Sequence, residues 1–89
     1  MDINEIKNFE NINVIDIREK NEYDQMHIPN TKNIPMMGLI ANHTQFLSKN
    51  EKYYIMCLSG GRSHQVVAYL KSLGYDVVDL KGGISSYKF

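Results

Sequence analysis

Cys57, the only cysteine of the chain, opens the run Cys57-Leu58-Ser59-Gly60-Gly61-Arg62-Ser63. A thiol reacts as its thiolate, so a reactive cysteine needs surroundings that favour negative charge. Gly60 and Gly61 permit backbone angles that turn successive N–H groups inward as a nest for an anion. The helical pattern that follows, from about Ser63 to Leu73, adds the positive end of its dipole. Arg62 is permanently charged and can fork its N–H groups toward loop carbonyls or a bound anion. Each effect favours thiolate over thiol, so the run predicts a nucleophilic Cys57. A lone cysteine in an apolar strand is usually just a small hydrophobe. Here the glycines, the arginine and the helix start argue for chemistry instead.

Four residues separate Cys57 from Arg62. A cysteine-dependent phosphatase loop has five, enough to cradle the oxygens of a phosphate over the sulfur. The tighter loop makes a smaller cup, suited to one extra sulfur atom on Cys57. The N–H groups of Leu58 to Ser63 would stabilise such an anionic persulfide. Ser59 can face the pocket, and Ser63 is placed to cap the helix. His64 lies beside the loop and would add positive charge when protonated. His27 reads as a turn residue. His43 and His64 have no partner at metal-ligand spacing, so no metal site is expected.

Three buried strands must carry this loop. Asn13 to Ile17 is a nearly continuous apolar run, and Lys52 to Cys57 is a second. Tyr75 to Leu80 is a third. Such runs suit strands covered on both faces. A short extended piece is expected at Lys32 to Pro35. Helical patterns span Arg18 to Gln25, Met36 to Leu47 and Ser63 to Leu73. The last has Val66, Val67, Tyr69, Leu70 and Leu73 on its apolar face and Gly74 as its stop. Gly82-Gly83 breaks the final strand, and Ile84 to Phe89 forms a last turn or short helix. Alternating strands and helices predict an α/β fold with a mainly parallel sheet and right-handed connections. Ligands of such sheets bind at the C-terminal strand ends, where Cys57 falls.

Composition narrows the setting. The chain has 89 residues, with ten basic and ten acidic side chains and no net charge. That length predicts one domain, residues 1–89, with a modest core. Zero net charge gives no reason to expect nucleic acid or an anionic membrane as a partner. No apolar stretch is long enough to span a bilayer. Residues 1–9 are too polar for a signal peptide. One cysteine can form neither an internal disulfide nor a four-thiolate zinc site. The expectation is a cytoplasmic domain with one free thiol.

These segments resemble the rhodanese family of sulfurtransferases. The likeness runs from about Val14 to Tyr87 through Val14-Ile15-Asp16-Ile17-Arg18-Glu19, Glu22-Tyr23, His27-Ile28-Pro29, Asn33-Ile34-Pro35, the Cys57–Ser63 loop and Leu80-Lys81-Gly82-Gly83-Ile84. The resemblance implies a rhodanese-like parallel sheet of four to five strands with helices on both faces, the fifth strand near Asp2-Ile3. It implies that Asp16 and Arg18 support the active-site loop, the alternative being a surface ion pair of Arg18 with Glu22. It implies a Cys57 persulfide, formed from a small sulfur donor or a persulfidated protein and passed to a thiol or protein acceptor, with Arg62 assisting and no cofactor. Leu58 stands where several relatives carry a basic or polar residue, which points away from dianionic thiosulfate and toward persulfide donors. Met26 and Asn30 replace glycines common around His-Ile-Pro, and Asn tolerates a left-handed angle better than Met. The competing readings are a non-catalytic interaction module, a sulfur carrier with little turnover of its own, and a phosphatase or arsenate reductase, which the short loop disfavours.

Overall fold

A computed structural model describes residues 1–89. Its centre is a parallel sheet of β1 (Asn13–Asp16), β2 (Lys32–Asn33), β3 (Lys52–Met56) and β4 (Asp76–Asp79) in the order β2-β1-β3-β4. Asp16 stands opposite Met56, and Ile55 opposite Asp79, so three strand ends line up at one edge of the molecule. Helices α1 (Lys20–Gln25), α2 (Met36–Ala41), α3 (His43–Phe46), α4 (Gly61–Ser72) and α5 (Gly83–Ser86) connect and follow the strands.

Strand alternation sorts the apolar residues into two layers. Ile15, Ile17, Tyr53, Ile55, Cys57 and Val77 join Leu39, Val66, Val67 and Leu70 on one face. Val14 and Met56 join Ile3, Ile28, Leu80 and Ile84 on the other. Both faces are covered, which is why the strands read as continuous apolar runs rather than alternating ones.

Four sequence expectations change. The fifth strand is a single bridge between Asp2 and Lys81, because the chain turns at once into a 3₁₀ turn at Ile3–Glu5. The helix expected from Arg18 begins at Lys20, since Arg18 is buried beside Asp16 and the Glu19 N–H is taken by Glu22 Oε1 at 3.1 Å. The helix expected from Met36 to Leu47 is broken at Asn42, whose side chain donates to the Gly38 carbonyl at 3.1 Å. That side chain offers the backbone a local alternative to helix. Tyr69 lies on the exposed side of α4, leaving Val66, Val67 and Leu70 as its buried contacts.

Candidate active site

β3 ends at Met56 and delivers Cys57 to the C-terminal edge of the sheet. Leu58 and Ser59 are exposed, and Gly60 turns the chain into α4 with φ 104°. A side chain at Gly60 would be strained at that angle and would press on the Gly82 nitrogen at 3.2 Å. α4 therefore begins at Gly61, two residues earlier than its sequence pattern indicates.

The Cys57 sulfur is buried and accepts N–H bonds from Gly60 at 3.0 Å and Ser63 at 3.4 Å. The helix cap expected from Ser63 is thus replaced: the sulfur takes the N–H groups that a capping side chain ordinarily serves. Ser63 is the third residue of the helix, fully buried, with its hydroxyl 2.6 Å from Asp79 Oδ1 and 3.1 Å from the Gly60 carbonyl. In the same first turn the N–H groups of Gly61 and Arg62 have no partner within the chain. Burial pushes the Cys57 thiol up, but hydrogen bonds from the Ser63 hydroxyl and from the backbone N–H groups of Ser63, Gly60 and Ser59 outweigh it and hold the thiol below its ordinary range.

The loop is fixed from behind. Ile84 N–H donates to the Cys57 carbonyl at 3.0 Å, and Ser85 N–H to the Leu58 carbonyl at 2.9 Å. Gly83 permits this approach: a Cβ there would lie 2.4 Å from the Cys57 oxygen and 2.6 Å from the Leu58 oxygen. The sequence marks Gly82-Gly83 as the break after the final strand. That this break packs on the cysteine loop is a long-range fact with no local signal.

Arg62 is exposed, and its guanidinium bonds neither loop carbonyls nor any carboxylate. Its fork is free at the surface. Asp16 and Arg18 form a buried pair at the end of β1, with Arg18 Nη2 2.9 Å from Asp16 Oδ2 and Nε 3.1 Å from both oxygens. The alternative pairing with Glu22 does not occur. Arg18 also donates to the Met26 carbonyl at 2.8 Å, and Asn33 Nδ2 donates to the carbonyls of Asp16 and Arg18. The pair reaches Cys57 through the strands: Ile17 N–H donates to the Met56 carbonyl at 2.9 Å. His27 stacks on Tyr23 with ring centres 3.9 Å apart and bonds the Tyr23 carbonyl, so it structures the turn. Asn30 takes φ 67° while Met26 stays extended.

His64 is exposed, with Nδ1 3.8 Å from Asp79 Oδ2, so the ring faces Asp79. A polar groove of about 390 Å³ runs beside the loop between Gly60, Gly61, His64, Asp79 and Lys81. A separate cavity of about 330 Å³, lined in part by Val14, Lys32, Phe46 and Tyr53, sits at the opposite strand ends, away from the sulfur. No group of three or more His, Cys, Asp or Glu side chains is placed to hold a metal ion, and no helix is long and apolar enough to cross a membrane.

Comparison with known proteins points the same way as this geometry. A family model described as the rhodanese-like domain matches residues 2–89. A protein named Sulfurtransferase from Allochromatium vinosum is 38% identical over 79 residues, covering 88% of this chain and 73% of that protein. The Adenylyltransferase and sulfurtransferase uba4 of Ogataea parapolymorpha is 36% identical over 75 residues, which is 83% of this chain but only 19% of that protein. Among solved structures, a rhodanese-like domain protein from Staphylococcus aureus superposes with a TM-score of 0.79 at 39% identity, covering 86% of this chain and 74% of that one.

Proposed function

This chain belongs to the rhodanese-like domain family, and from that premise we propose that it is a sulfurtransferase whose Cys57 carries sulfur as a persulfide. Relatives named sulfurtransferases support a role in sulfur transfer. The observation that carries the finer reading is the sulfur itself: buried, lowered in pKa, and held at the N-terminus of α4 by Gly60 and Ser63.

In the first half-reaction the Cys57 thiolate attacks the outer sulfur of a donor. A new S–S bond forms at Cys57 as the donor's own bond breaks, and the electron pair leaves with the donor remnant. In the second, a nucleophilic acceptor (cyanide in an assay, a thiol or protein in the cell) attacks the outer sulfur, and Cys57 departs as thiolate. Covalent catalysis of this kind gives ping-pong kinetics. The outer sulfur of the persulfide carries the charge, and the unpartnered N–H groups of Gly61 and Arg62 are the donors nearest in sequence to receive it. The free Arg62 fork draws anionic donors to the mouth. Asp16 and Arg18 hold the neighbouring strand end rigid. Leu58, 42% exposed at the mouth, adds no positive charge, which favours persulfide donors over thiosulfate. Ser59 lines the adjoining groove. No cofactor enters, and the free thiol suits the reducing cytoplasm.

The test is intact mass after incubation with thiosulfate and, separately, with a small persulfide. The native chain gains one sulfur atom and Cys57→Ser gains none. Absence of any gain from either donor overturns the reading. Multiple turnover with cyanide separates an enzyme from a carrier that loads once and waits.

A further inference from the structure

The polar groove beside the cysteine loop has no part in the sulfur chemistry described so far. Its volume of about 390 Å³ falls among those of small-molecule sites. Gly60 and Gly61 of the loop line it together with His64, Gln65, Asp79 and Lys81, and no apolar side chain does. Two of these residues are opposite charges that do not neutralise each other. Lys81 is exposed and joins no ion pair. The side chain of Asp79 is 13% exposed. Its Oδ1 accepts the Ser63 hydroxyl at 2.6 Å, while its Oδ2 makes no hydrogen bond, His64 Nδ1 being 3.8 Å away. The groove therefore offers an incoming molecule one free cation and one free carboxylate oxygen. Ser63 joins it to the reacting atom, because the residue that meets Asp79 also points its N–H at Cys57 Sγ from 3.4 Å.

Separated charges of both signs select a ligand that carries both. An α-amino-acid end, with ammonium and carboxylate on one carbon, matches them. Thiosulfate is negative throughout and would face Asp79 without compensation. An apolar molecule would take water from Lys81 and Asp79 and return nothing.

We propose that this groove is a subsite for the α-amino-acid end of a small persulfide donor, Lys81 receiving the carboxylate and Asp79 Oδ2 the ammonium. Its use in turnover rests on the sulfur-transfer reading. With cysteine persulfide, the Cys57 thiolate attacks the outer sulfur, the donor's S–S bond breaks, and the electron pair leaves on the inner sulfur. The inner sulfur takes the proton that the outer sulfur gives up. Free cysteine departs, and Cys57 keeps an anionic persulfide.

Three donors of similar length separate the two charges: cysteine persulfide, cysteamine persulfide without the carboxylate, and 3-mercaptopropionate persulfide without the ammonium. Sulfur loading of Cys57 is followed by intact mass. The native chain is expected to load from cysteine persulfide with a kcat/KM about fivefold above either one-charge donor. Lys81→Met raises KM about fivefold for the two donors with a carboxylate, at a limiting rate within about twofold, and spares the cysteamine donor. Asp79→Asn, which keeps an acceptor for the Ser63 hydroxyl, does the same for the two donors with an ammonium. Lys32→Met, at the opposite strand ends, alters none of these ratios. Equal loading from all three donors overturns the proposal, and so does a Lys81→Met loss shared by all of them. If Asp79→Asn does not fold by circular dichroism, Lys81→Met decides alone. Glutathione persulfide carries the same end on a longer arm, and a Lys81-dependent preference for it keeps the subsite and assigns it the longer source.

A second measurement needs no sulfur transfer. S-methylcysteine is zwitterionic and cannot donate sulfur. It is expected to shift the NMR amide signals of Gly60, Gly61 and Lys81 in the native chain and in Cys57→Ser, and not in Lys81→Met. If no donor loads Cys57, the sulfur-transfer reading fails and this measurement decides the subsite: selective shifts uphold it, and their absence overturns it.

Discussion

Two charged sites sit side by side at the strand ends, and they are built on opposite plans. At the end of β1, buried Asp16 meets Arg18 in a forked pair, and the surrounding carbonyls are taken by Asn33 and Arg18. At the end of β3, the Cys57 sulfur has no counter-ion within bonding distance. It accepts N–H bonds from Gly60 and Ser63, and the N–H groups of Gly61 and Arg62 in the same first turn of α4 are unpartnered. The first site is closed: each charge is cancelled where it stands, which is what a buried ion pair requires if it is not to destabilise the fold. The second is left unfinished, so that an incoming atom can complete it. On the proposed function, adjacent strands in register thus carry a structural charge and a reactive one, and the degree of compensation separates them.

The comparison breaks most visibly at the sulfur. Cys57→Ser is expected to abolish sulfur loading, at least a thousandfold by intact mass, while the thermal transition moves only slightly. Breaking the closed site does the reverse. Asp16→Ala strands a buried guanidinium and should cost about 3–5 kcal/mol in urea unfolding, enough to leave much of a small domain unfolded. Gly83→Ala strikes the clamp behind the loop. With backbone oxygens 2.4 and 2.6 Å from the new Cβ, the loop must shift, and we expect about 2–4 kcal/mol of destabilisation together with lost loading. Arg62→Ala leaves the fold intact and lowers kcat/KM for an anionic donor about tenfold, an effect that shrinks as salt rises.

The smallest effect is in pH. The folded thiol lies below its ordinary value, so the native state binds fewer protons than the unfolded chain across that interval. Stability from the thiolate is full above the unfolded value, about 8.5, and is lost as pH falls through the folded one. The stability of the native chain relative to Cys57→Ser should therefore rise with pH toward about 9 and then level off. A flat difference across that range would mean the N–H groups do not favour the thiolate.

Much of this was legible in the chain. Val14-Ile15 and Tyr53-Ile55-Met56 announce strands because both faces of the sheet are covered. Cys57, Gly60 and Arg62 announce the loop because few other uses combine those residues at that spacing. What escaped is non-local. Ser63 looks like a cap from its neighbours, and only folding reveals that the sulfur occupies that role and that Asp79, sixteen residues on, takes the hydroxyl. Arg18 reads as the start of a helix until Asp16 draws it into the interior. Gly83 reads as a turn, with nothing nearby to say that its backbone must touch the Cys57 oxygen.

The sulfur's place at the start of α4 has one more consequence. A helix whose first N–H groups rest on a reactive atom registers whatever happens to that atom. Adding sulfur to Cys57, alkylating it or oxidising it each changes what Gly60 and Ser63 hold, and a helix end is worth about 0.5–2 kcal/mol. If Cys57 carries sulfur as proposed, the melting temperature of this chain is expected to shift on loading, and a simple thermal scan checks it without any label.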